Sequence, residues 1–114
     1  MTVNEKIEQA LTKYVGEGRI WPMVCPDQNQ PEKYIVYNPE TETPALRADD
    51  CAQEWADYMQ IHYFQKGNAN VLRLKRQIAD DLEAVDFSVT EIQTDYEKDT
   101  GYTHVTFSCN IAED

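Results

Sequence analysis

The run from Glu54 to Phe64 constrains this chain more than any other stretch. Trp55, Met59, Ile61 and Tyr63 fall on one side of a two-residue period, and Ala56, Tyr58, His62 and Phe64 fall on the other. Strand side chains alternate between faces, so this period and its aromatic and β-branched content predict a strand. Both faces are apolar enough to be covered, which suits a central position in a sheet. Gly67 ends the run, and Asn68 or Asn70 can cap a helix that follows at once.

The rest of the chain is read against that strand. From Thr2 to Val15 the apolar positions Val3, Ile7, Ala10, Leu11 and Tyr14 make one helical stripe, with Glu5, Lys6, Glu8 and Lys13 on the wet side. Thr2 or Asn4 can cap it, and Gly16 and Gly18 end it. Arg19–Cys25 reads as a short strand interrupted by Pro22, hence at an edge or bulged. Residues 26–31 are loop by composition, and Tyr34–Asn38 is a strand stopped by Pro39. Residues 39–51 lack periodicity and contain Pro39 and Pro44 with Glu40, Glu42, Asp49 and Asp50. They read as a long mobile loop within a single domain spanning 1–114, and as the first place to look for partner contacts.

Val71, Leu74, Ile78, Leu82 and Val85 recur at helical intervals and predict an amphipathic helix. Its outer side carries Arg73, Lys75 and Arg76 early and Asp80, Asp81 and Glu83 late, the reverse of what the helix dipole prefers. A hairpin follows, Phe87–Tyr96 and Tyr102–Ile111, around a four-residue loop of Lys98–Gly101. With Glu97 facing Tyr102, counting back sets Thr94 opposite Val105, Ile92 opposite Phe107 and Thr90 opposite Cys109. A slip of one residue would expose Ile92, so this register is expected. Phe87 and Val89 have the opposite parity from Ile92, which predicts a bulge near Thr90 or Glu91. The sum is an α+β fold in the order α-β-β-β-α-β-β: a mixed, mainly antiparallel sheet of about five strands with two helices packed on it.

The net charge of −11 argues against binding nucleic acid or anionic lipid, which needs clustered Lys and Arg, and no stretch approaches a membrane span. Partners are expected to be proteins. The odd cysteine number (Cys25, Cys51, Cys109), with no apolar run after Met1, suggests reduced thiols in a cytoplasm. Asp95, Glu97, Asp99 and Gly101 suggest a calcium loop, but the glycine falls one place late and Thr106 stands where the closing glutamate belongs. They read better as solvated hairpin-tip charges. His62, His104 and the cysteines lack close metal-ligand spacing, and nothing sets Cys25 or Cys51 beside a histidine as a nucleophile pair. His62 is expected as a wet or hydrogen-bonded strand residue, His104 as an exposed hairpin residue and Cys109 as core. The tyrosines could stack bases, but an acidic sheet repels nucleic acid, so core and interface roles are expected. No catalytic, cofactor or metal site is read, and the chain is expected not to be an enzyme.

Four stretches, Tyr34-Ile-Val-Tyr-Asn38, Tyr58–Phe64 with Gly67-Asn68, Phe87-Ser-Val-Thr-Glu91 and Gly101–Phe107, together with the order of elements, resemble the small tail-completion, or tail-to-head joining, proteins of long-tailed bacteriophages and prophages. The resemblance spans nearly the whole chain from Ile20 onward and rests on overall pattern rather than a chemical motif. It implies a non-enzymatic role in the virion neck, assembled in the bacterial cytoplasm, as a ring, typically hexameric, between tail tube and head connector. It carries no catalytic residues. A ring needs two complementary faces per subunit. The acids Glu40, Glu42, Asp49 and Asp50 and the bases Arg73, Lys75 and Arg76 are the candidates. An acidic DNA mimic that inhibits a host DNA-binding enzyme is the alternative; it calls for rows of acids on ordered elements.

Overall fold

The computed structural model describes the backbone of residues 2–23, 25, 31–48, 51–67 and 70–113, and the side chains of 2–23, 25, 31–39, 57–67 and 70–111. The elements are α1 (Val3–Val15), β1 (Ile20–Pro22), β2 (Lys33–Ala48), β3 (Cys51–Lys66), α2 (Leu72–Ala84), β4 (Ser88–Glu97) and β5 (Tyr102–Glu113). They form one five-stranded sheet in the order β1-β2-β3-β5-β4. β1 runs parallel to β2 and every other pairing is antiparallel, so the sheet is mixed and the fold is α+β in the expected element order.

Local chemistry accounts for both helices. Thr2 and Glu5 form a capping box: the Glu5 amide donates to Thr2 Oγ1 at 3.1 Å while the Glu5 carboxylate accepts from the Thr2 amide at 3.4 Å. Such a cap contributes about 1 kcal/mol. Gly16, at φ 96°, closes the helix and donates to the Thr12 carbonyl at 2.7 Å. At α2 the N-cap is Val71, which makes no side-chain cap hydrogen bond, so the cap expected of Asn70 is not formed; Asn70, one residue earlier, accepts at its side-chain Oδ1 from the Leu72 amide at 3.2 Å, and Asn68 lies outside the described residues. The first turn of α2 carries no acid and its last turn no base. Packing of Ile78 and Leu82, both essentially unexposed, overrides that weak dipole mismatch.

Both helices cover one face of the sheet. Ile7 and Leu11 of α1 and Ile78 and Leu82 of α2 join Ile35, Tyr37, Met59, Ile61, Tyr63, Val105, Phe107, Cys109 and Ile111 in one buried cluster. The strand residues in it share one parity on each strand, as the alternation around Ile61 requires. Two polar contacts bind the layers together. The Tyr14 hydroxyl donates to Asp81 of α2, and the Tyr37 hydroxyl of β2 donates to Glu8 of α1. Lys13 also pairs with Asp81 at 3.1 Å.

The hairpin register follows the sequence expectation at Glu97↔Tyr102, Thr94↔Val105 and Ile92↔Phe107. Past that point Val89, not Thr90, pairs with Cys109, because a bulge lies between Val89 and Glu91. Thr90 is the extra residue, and its hydroxyl donates to the Ser108 carbonyl at 3.0 Å. Gly101, at φ 77°, supplies the left-handed position that closes the loop.

Two expectations need correction. Residues 39–48 are not loop: they continue β2 in a ladder with β3, with register shifts at Pro39/Thr41, Pro44/Leu46 and Leu46/Arg47. Proline is tolerated on the open side of an edge strand or at a bulge, and β1 pairs only with Ile35–Tyr37, leaving that side of β2 open. Residues 49 and 50 lie outside the described residues. The strand expected over Arg19–Cys25 is confined to Ile20–Pro22, where Pro22 and then Met23, at φ 74°, end the pairing.

Candidate interaction surfaces

The candidate residues divide between two places. Glu40 and Glu42 lie on the distal part of β2, where backbone pairing is described and side chains are not. Asp49 and Asp50 lie outside the described residues. Beyond Trp55, the first β3 residue paired with β5, the ladder of Leu46–Ala48 with Cys51–Glu54 is two-stranded among the described residues. Two strands alone are marginally stable, so this arm has backbone edges and faces to offer a partner. Arg73 and Arg76 are exposed on α2. Lys75 is half-buried and donates to the Thr94 hydroxyl at 3.2 Å, so its charge is partly engaged within the chain.

The face of the sheet away from the helices holds a feature that sequence reasoning missed. β3 lies between β2 and β5, with Phe64 opposite Tyr34 on one side and His104 on the other. Tyr34 stacks on Phe64 with ring centroids 4.5 Å apart and an 11° interplanar angle; Phe64 stacks on His104 at 4.3 Å and 18°. Tyr102 meets Tyr34 edge-on at 5.6 Å, and its hydroxyl donates to the Pro31 carbonyl at 2.8 Å. Offset stacks and edge contacts of this kind contribute about 0.5–1.5 kcal/mol each beyond burial.

His104 is half-buried, not the exposed hairpin residue expected. It sits on the diagonal from His62, whose directly paired residue is Thr106, and the two imidazoles meet with His62 Nδ1 2.8 Å from His104 Nε2. The Thr106 hydroxyl lies 3.4 Å and 3.2 Å from the same two nitrogens. Glu97 approaches His104 Nδ1 at 3.7 Å. That carboxylate favours a proton on His104 Nδ1, which leaves Nε2 to accept from His62 Nδ1–H. Burial holds both imidazoles below the ordinary histidine range, with His104 adding to the effect at His62 and Glu97 and Asp95 opposing it at His104. The pair is therefore neutral at pH 7.

A pH dependence follows. The unfolded chain takes up protons near pH 6.5, before the folded pair does, so stability falls as pH drops below that value and levels off once the folded pair has titrated. Thermal melts from pH 7.5 to 5.5 should show Tm decreasing, and the His62→Gln/His104→Gln double variant should flatten the profile. An unchanged slope in that variant would assign the pH dependence to other groups.

Burial pushes the Cys109 thiol up to about 12, and its Sγ lies 3.7 Å from the Met59 carbonyl as a weak donor, so it is no nucleophile near neutrality. Among the described residues no group of three or more His, Cys, Asp or Glu is placed to hold a metal ion. Among the same residues, no helix is long and apolar enough to cross a membrane.

No family model matches the chain, and no curated protein matches it. Among solved structures, it is similar to a chain of one described as the virion of a native gene transfer agent particle. That alignment covers 95% of this chain and 91% of the other, with a TM-score of 0.60 at 9% identity. At such low identity the likeness is one of fold.

Proposed function

We propose that this chain is a non-enzymatic structural component of a phage-like virion. In the finer reading, it is a tail-completion protein that forms a ring, six subunits by resemblance, on the head-proximal end of the tail tube and joins it to the head connector. The observation that carries the reading is the end-to-end fold likeness to a chain of a gene transfer agent virion. The resemblance of the sequence to tail-completion proteins points the same way. Glu40 and Glu42, on β2 before its two-stranded end, would meet Arg73, Lys75 and Arg76 at the start of α2 in the next subunit. Contacts of that heterologous kind close a ring when the rotation per subunit fits.

The Arg73→Glu/Arg76→Glu variant tests this arrangement. Both side chains are exposed, so folding should be unaffected. Self-association or tail docking should weaken by about tenfold or more, most clearly at low salt where exposed charges are least screened. Light scattering over a wide concentration range, with and without purified tail tubes, reads the effect. Undiminished assembly at low salt would remove this charge pairing from the account.

The DNA-mimic reading has one observation in its favour. Glu91, Asp95 and Glu97 lie on one face of the ordered strand β4. Three carboxylates are a short imitation of a phosphate backbone, so this reading ranks second.

A further inference from the structure

The two outer edges of the sheet are defended differently. On one side β1 is three residues long and ends in Pro22, and where β1 no longer covers β2 the sequence supplies Pro39 and Pro44. Short strands and prolines are standard means of keeping other strands from pairing with an edge. On the other side, β4 contains no proline, lysine or arginine. Its register with β5 runs without a shift from Glu91 to Glu97, and no described residue pairs with its outer side.

The side chains of this edge are sorted. Glu91, Gln93, Asp95 and Glu97 share the face of their partners Ser108, Thr106, His104 and Tyr102, away from the helices. Ile92, Thr94 and Tyr96 share the helix face, where Ile92 is half-buried against the core and the Tyr96 ring is 46% exposed. We propose that β4 is an acceptor edge for strand addition by an amphipathic basic segment of another protein. The added strand would carry Lys or Arg at alternate positions beside the carboxylates and apolar residues beside Ile92 and Tyr96. Main-chain hydrogen bonds supply affinity in such pairings, and alternate side chains supply selectivity.

Charge argues against a second copy as the occupant. β4 against β4 would set acids beside acids, and the open part of β2 brings Glu40, Glu42 and two prolines. The inference does not rest on the virion reading, and neither stands or falls with the other.

The test uses a labelled, end-capped peptide of alternating Lys and Val, and a counterpart with Glu for Lys, titrated into the full chain at roughly 150 mM salt, where long-range attraction is screened. Adjacent strand residues send their amides to opposite edges, so of Gln93→Pro and Thr94→Pro one leaves the β5 ladder intact; the better-folded of the two blocks only the outer edge. Expected are saturable binding of the Lys peptide, slowed amide exchange confined to β4, and a loss of about tenfold or more in that proline variant. The Glu91→Lys/Asp95→Lys variant, which keeps the edge open, should lose the Lys peptide and take the Glu peptide. No binding, or binding without protection of β4, overturns the proposal. So does binding that resists proline but not charge reversal: that result assigns the acids to bulk electrostatics or, if a DNA-binding enzyme is retained in the same pattern, to mimicry.

Discussion

Phe107→Ala is expected to destabilise the chain by about 3–5 kcal/mol, the range for removing a buried aromatic ring. Phe107 is fully buried on β5, paired with Ile61 of β3 on one side and Ile92 of β4 on the other, in the cluster that both helices cover. Its neighbours on β3 and β4 are held by their own backbone hydrogen bonds, so the space left by the ring closes only in part. Domains of this size have total stabilities of about 5–15 kcal/mol, so the loss is a large share of the whole. Urea unfolding should show the midpoint falling with little change in slope. A loss under about 1 kcal/mol would mean that this face is not a close-packed core.

Tyr34→Ala is expected to cost about 3 kcal/mol, although Tyr34 lies on the face without helices. Its side chain is 3% exposed, stacked on Phe64, edge-on to Tyr102 and 6.2 Å from the Trp21 ring. Burial pushes its hydroxyl up to about 12. A tyrosine that served as a platform for bases would present its ring to solvent; this one is the centre of a second, smaller core. Tyr96→Ala is the control: that ring is 46% exposed, and its loss should stay within about 0.5 kcal/mol. Equal, small effects at both positions would show Tyr34 to be a surface group and the second core to contribute little.

What sequence revealed, and what it did not, follows the range of the interactions involved. α1 was legible, with Thr2 one of the two caps the sequence offered beside Asn4, because capping and helical periodicity are local. The β4–β5 register was legible because Ile92 must join Phe107 on the dry face and a four-residue loop allows it. The bulge was legible because Val89 and Ile92 need the same side across an odd step. Tyr34–Asn38 and Glu54–Phe64 were legible as strands, whereas residues 39–48 of β2 read as loop in the sequence, since Pro39 and Pro44 look like breakers until the sheet order leaves one side of β2 open. The His62–His104 contact depends on how β3 aligns with β5, two strands separated by α2 and β4. The signal was present in principle: aligning the dry residues Met59, Ile61 and Tyr63 with Cys109, Phe107 and Val105 sets His62 opposite Thr106, diagonal to His104. Of the candidate interface, exposure of Arg73 and Arg76 was legible from helical periodicity. The half-buried state of Lys75 was not, because it depends on Thr94 of a different element.

The structural reading is tested most directly by locating the chain in particles. Gold labelling of a tagged copy, with electron microscopy of particles purified from producing cells, should place label at the junction of head and tail. Particles that carry completed, head-joined tails but no label, with the tagged chain recovered only from the soluble fraction, would contradict the account.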